Sequence, residues 1–239
     1  MLFRQLFDSE SSTYTYLIAD EISRSAVLVD PVLEQVERDL KLLRELDLKL
    51  EFCLETHVHA DHVTATSKLR ELTGCHGIVP QGAPVSCADR HIRDGETVQL
   101  GDVTIKAIAT PGHTDSHMAY LVNGDRLLTG DALLIRGCGR TDFQSGSAAA
   151  LYDSVQQRLY TLPDATLVYP AHDYHGHTVS TLGEEKICNP RFAGRSREQF
   201  IEYMNDLVLP YPKKIMEALP ANERCGNASA AATLLQAAS

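Results

Sequence analysis

The sequence predicts one α/β domain, and three observations predict it. A chain of 239 residues is long enough to bury a core of its own without disulfide staples. Short apolar runs bounded by turn residues recur with the character of strands and dominate the first half. Other segments repeat apolar residues at the three- and four-residue spacing of a helix face, so helices should cover the sheets from outside. No repeat and no linker divides the chain. Residues 1–226 are therefore expected to form a single domain, and residues 227–239, small and weakly patterned, a frayed tail.

Strands are expected at TYTYLIA (13–19), AVLVDPV (26–32), LEFCLET (50–56), GIVP (77–80) and TIKAIAT (104–110). Asn123-Gly124 lies between two apolar runs, a hairpin signal because both residues tolerate positive φ. ATLVYPAH (165–172) completes the strands. Helical spacing appears at Val36, Leu40, Leu43 and Leu46, from His62 to Leu72, and from Ala148 to Leu159. Ser196, followed by Glu198 and Gln199, reads as a helix start, with Pro210 and Pro212 beyond its end. A short helix is expected near Lys213 to Leu219.

Composition narrows the function. With 44% hydrophobic and 23% charged residues the chain reads as soluble, and no run approaches the roughly 18 apolar residues of a membrane span. A formal charge of -10 without clustered Lys and Arg argues against nucleic acid and favours small-molecule chemistry. The start, MLFRQLFDSESSTYTYL, lacks an apolar signal core, and the six cysteines, Cys53, Cys75, Cys87, Cys138, Cys188 and Cys225, form no CxxC pair. They are expected to be reduced thiols in a cytoplasmic protein.

Chemistry concentrates directly after LEFCLET. His57, His59, Asp61 and His62 place four potential ligands within a few residues, where alternation turns His57 and His59 to one side. A lone histidine is usually a satisfied surface or core residue, but a cluster is not so easily dismissed. Further candidates follow apolar runs: His113 in ATPGHT, Asp131 in LLTGDALL and His172 in LVYPAHDY. Strand ends meeting at one edge would collect up to seven N and O ligands, enough for one metal or two. Spacing alone leaves that choice open.

The pattern resembles the metallo-β-lactamase superfamily, whose HxHxDH signature is met by His57, His59, Asp61 and His62, with His113, Asp131 and His172 following in the family's order. The resemblance implies an αββα sandwich with metal at one edge. Superfamily membership alone does not name a reaction. DALLIRGCGRTDFQSG (131–146), LVYPAHDYHGHTVSTLGEEKICNPR (167–191) and LPANERCG (219–226) are more selective, and are similar to the persulfide dioxygenases. That resemblance implies one Fe(II) per chain held by His57, His113 and Asp131, with His59, Asp61, His62 and His172 behind these ligands. It also implies glutathione persulfide and O2 as substrates, with glutathione and sulfite as products. Assembly is left open, a homodimer being one option.

Arg140 in GCGRTDF and Tyr174 in AHDYHG are candidate substrate contacts, one by gripping a carboxylate and the other by donating a hydrogen bond. Their plainer readings are a structural ion pair and a packed tyrosine. Cys138 and Cys225 are read as structural rather than nucleophilic, since no base is assigned to either. The rival function is a glyoxalase II-like hydrolase with two metals, which shares the same ligand types. The short chain after residue 180 argues against it. A catalytically silent binding protein would have lost ligands, and none is lost.

Overall fold

The computed structural model describes residues 1–227, and it contains two six-stranded sheets packed face to face with helices outside. The first half supplies β1 (Leu2–Asp8), β2 (Thr13–Ala19), β3 (Ser25–Val29), α1 (Val36–Glu45), β4 (Lys49–Leu54), α2 (Thr66–Thr73), β5 (His76–Pro80) and β6 (Arg90–Ile92). These strands lie side by side in chain order, with β3 to β6 parallel. The second sheet begins with β7 (Thr97–Leu100), β8 (Val103–Ala109), β9 (Met118–Val122) and β10 (Arg126–Gly130). After α3 (Ala148–Ser154) come β11 (Leu167–Pro170), β12 (Ser180–Thr181), α4 (Leu182–Cys188), α5 (Arg197–Asn205) and α6 (Ile215–Asn222). Its spatial order runs from β12 down to β7.

Side-chain alternation builds the layers. Tyr14, Tyr16 and Ile18 of β2 face the other sheet, where they join Val27, Val29, Ile105, Tyr120 and Leu128 in the central core. Leu17 and Ala19 point the other way and pack with Leu43 and Leu69 of α1 and α2. On the far side Leu127 and Val168 meet Leu151, Phe192 and Phe200 beneath α3 and α5. This is the expected αββα sandwich. Among the described residues, no helix is long and apolar enough to cross a membrane.

Several boundaries differ from the sequence expectation for identifiable reasons. The helix expected from His62 begins at Thr66, because residues 57–65 form the irregular loop that carries the ligand types. Asn123 and Gly124 do turn with positive φ, +47° and +79°, between β9 and β10. Ser196 caps α5 in a full capping box with Gln199. The pattern does not single out β1, β6, β7, β12 or α4. Of these, β6 and β12 have only three and two residues, too short for periodicity to register. The expected tail lies, apart from Asn227, outside the described residues.

Cys87 and Cys225 form a disulfide, which corrects the expectation of six free thiols. The partners lie 138 residues apart in sequence. No local spacing could reveal a pair that only the fold brings together. Cys53, Cys75, Cys138 and Cys188 are free.

Candidate metal centre

The ends of strands from both sheets converge at one edge of the sandwich. The β3 end gives Asp30, the β4 end leads into residues 55–62, and β8, β10 and β11 run the same way to reach His113, Asp131 and His172. A backbone bond from Met118 N to Thr56 O (2.8 Å) ties the two sheets together there.

One nitrogen or oxygen of each of His57, His113 and Asp131 lies within 4.8 Å of the others, close enough for one ion to touch all three. Their remaining heteroatoms are already taken. His57 Nδ1 lies 2.9 Å from Thr56 Oγ1, and His113 Nδ1 donates to the Arg140 carbonyl at 2.7 Å. Asp131 Oδ1 accepts from His172 Nδ1 at 2.7 Å, while its Oδ2 faces His113 Nε2 at 3.4 Å. This fixes ring orientation and leaves each group one inward-facing lone pair, the arrangement that supports a metal ligand from behind. Burial, reinforced by the neighbouring histidines, holds His57 well below its ordinary pKa, so its ring stays neutral. Burial alone would raise Asp131, but His172 outweighs it and keeps the carboxylate ionised, well below the usual range. The residues therefore suit a hard or borderline divalent cation.

The other expected residues gather in the same place but are bonded differently. His172 uses both nitrogens, one on Asp131 and the other on Asp61 Oδ2 at 2.9 Å. His62 Nδ1 also meets Asp61 Oδ2, at 2.9 Å. His59 is buried between Asp30 (3.1 Å) and Glu55 (3.5 Å). Although burial opposes its protonation, Asp30 and Glu55 raise its pKa to about 10.

Arg140 lies at this edge with its guanidinium already occupied. It forms a fork on Asp142, with two contacts of 2.7 Å, and donates to Pro210 O. Its contact with the centre is through its own carbonyl, on His113. Tyr174 is 67% exposed as a residue and its ring lies parallel to that of His172, while burial raises the pKa of its hydroxyl. Cys138 is buried beside Met204, and burial pushes its thiol up to about 12, which leaves no thiolate nucleophile near neutral pH.

The sequence reading does not single out Asp30, His117 or Asn222, yet each shapes the centre. Asp30 sits at φ +50° and accepts from Thr56 N (2.7 Å) and Thr56 Oγ1 (2.9 Å), so a left-handed aspartate at a strand end sets the start of the ligand loop. Burial, with the His113 ring close by, holds His117 neutral, down to about 3. Its Nε2 accepts from the Asp131 amide (3.0 Å), and its Nδ1 meets Thr110 Oγ1 (2.8 Å). Gly130 has no Cβ because one would lie 2.4 Å from His117 Nε2. Available signals were the Asp-Pro turn ending AVLVDP and the histidine immediately before MAYLV. Asn222 gave none, being one polar residue in a weakly patterned helix.

A model of the metallo-beta-lactamase superfamily matches residues 9–172. The mitochondrial persulfide dioxygenase ETHE1 of Mus musculus is 50% identical over 228 residues, covering 95% of this chain and 89% of that protein. The chain belongs to the persulfide dioxygenase family. The human member of the family, also mitochondrial, is 49% identical over the same coverage. The crystal structure of ETHE1 from Myxococcus xanthus superposes with a TM-score of 0.93 at 58% identity, covering 95% of this chain and all of that one. Within the family, similarity of this extent includes the segments beyond residue 172 that the superfamily model leaves unmatched.

Proposed function

We propose that the chain oxidises glutathione persulfide with O2 and water to glutathione and sulfite, using one Fe(II) held by His57, His113 and Asp131. One observation carries this reading: these three residues each keep one free lone pair facing a common point, while His172 spends both its nitrogens, on Asp131 and Asp61. Bound by two histidines and one carboxylate, Fe(II) would keep coordination capacity for substrate and would supply the redox change that zinc lacks.

The chain's own residues position and protect. His172 keeps Asp131 ionised and aimed, and His117 holds the Asp131 backbone. Gln144 donates to Val58 O (2.6 Å), pinning the 139–146 loop beside the ligand loop. Tyr174, beside His172, is the better candidate for meeting substrate, because the Arg140 fork is filled. Residues 1–226 act as one unit in this reading, and a cytoplasmic location is part of it.

A second reading has one observation in its favour: donor atoms of His59, Asp61 and His62 also lie within 4.8 Å of one another, so a second metal could be held in a binuclear thioester hydrolase. Anaerobic purification with elemental analysis separates the two. One iron per chain, with oxygen uptake on glutathione persulfide, is expected. Two zinc ions per chain, with thioester hydrolysis and no oxygen uptake, would reverse the assignment.

A further inference from the structure

The ligand loop is held by the far end of the described chain. Asn222 is buried, and all three of its side-chain polar contacts go to that loop. Its Nδ2 donates to His59 O and His62 O, both at 2.8 Å, and its Oδ1 accepts from Thr64 N at 2.9 Å. Next to it, Ser67 N donates to Cys225 O (2.9 Å), and Gly226 packs so closely that a Cβ would lie 2.0 Å from Thr64 O. Cys225 is joined to Cys87, which lies in the segment after β5 and is only partly buried. Cys225 and Asn222 line one small cavity with Glu55, His57, His59 and Thr64.

We propose that the Cys87–Cys225 disulfide is a thiol-reducible clamp acting through Asn222, a positioning residue, on the loop that carries His57, His59, Asp61 and His62. The inference rests on reading that loop as part of the metal site. Three bonds from one amide fix the backbone at residues 59, 62 and 64, and the disulfide fixes the segment that presents the amide. Cys87 is the accessible sulfur. A small thiolate attacks it, the S–S bond breaks, and Cys225 leaves and takes up a proton. A second thiol then releases the mixed disulfide, so two small thiols become one disulfide while two protein thiols form. Thiols of this class are what the proposed reaction releases. Disulfides that persist only conditionally in a reducing compartment are typically regulatory.

The test uses iron-loaded protein, with its thiols trapped by N-ethylmaleimide at isolation and counted by mass. The protein is then compared before and after a phosphine reductant that is removed before measurement. On reduction, amide hydrogen exchange should accelerate at residues 59–64 while β2, β3 and β9 stay protected, and iron release to a chelator should rise about 10-fold, as for loss of support behind a ligand. Cys87→Ser should reproduce the reduced state and ignore the reductant. Asn222→Asp should release iron at the raised rate in both redox states, because the amide donors that transmit the clamp are gone. Both cysteines trapped as free thiols at isolation, or identical loop exchange in the two redox states, would overturn the clamp. Loop exchange is read whatever the loop holds, so its failure is distinct from a failure to find iron.

Discussion

Two neighbouring trios at the same sheet edge use the same residue types differently. His57, His113 and Asp131 are each bonded from behind, by Thr56, by the Arg140 carbonyl and by His172, and so each presents one unspent lone pair. In the trio of Asp61, His62 and His172, Asp61 Oδ2 receives both imidazoles and the Thr13 hydroxyl at 3.2 Å, and His172 has no nitrogen left, while His62 Nε2 stays without a partner among the described residues. Metal-binding capacity is thus a matter of which lone pairs remain after the protein's own hydrogen bonds are made, rather than of counting ligand residues. The same HxHxDH string contributes to both trios, so its presence alone cannot set the number of metals.

Making one substitution in each trio should break that comparison if it is wrong, and this is the largest effect expected. Asp131→Ala removes both a charge and a ligand, and iron content measured by elemental analysis should fall to background with loss of oxygen uptake. Asp61→Ala should retain iron in stoichiometric amount under saturating metal, with affinity lowered about 10- to 100-fold because only a supporting contact is lost. Equal, complete metal loss in both variants would show that the trios are one site.

The fold was largely legible because periodicity survives in long elements: β2, α1 and the Ser196-capped α5 all stand where alternation, helical spacing and capping chemistry place them. The metal-binding edge was legible for a different reason, since His57, His113 and Asp131 each follow an apolar strand that ends there. What escaped reading depends on long-range contact. Asn222 reaches residues about 160 positions away, and Cys87 meets Cys225 only in the folded chain. Arg140 shows the same limit from the other side: its residue type suggested a carboxylate grip, and the carboxylate it grips is Asp142 of its own loop.

A smaller effect concerns His117, which supports Asp131 from the backbone rather than the side chain. His117→Ala leaves the buried Asp131 amide and the Thr110 hydroxyl without their partner, and iron affinity should fall about 10-fold with the stoichiometry kept. The pKa of about 3 lies far below neutrality, so the His117 ring should show no protonation step between pH 5 and 8 by NMR. A titration in that range would mean the ring is charged and cannot accept the Asp131 N–H.

The smallest effect expected is at Arg140, where the comparison can be sharpened to a single side chain. Arg140→Lys keeps the charge but cannot reproduce the fork on Asp142 together with the bond to Pro210 O. Asp142 is 53% exposed, so solvent screens the pair and the loss should be about 0.5–1 kcal/mol, a drop of a few degrees in Tm. The hydrogen bond from Arg140 holds the Asp142 carboxyl below its ordinary pKa. Stability from the pair is therefore present above the usual carboxylate range and is lost as pH falls through the lowered value. The gap in Tm between the variant and the parent chain should accordingly be full at pH 7 and narrow below about pH 4. KM for glutathione persulfide should change little, because the guanidinium that would have gripped the substrate is already committed. A KM raised several-fold with Tm unchanged would return Arg140 to the substrate and leave the Asp142 pair as an incidental contact.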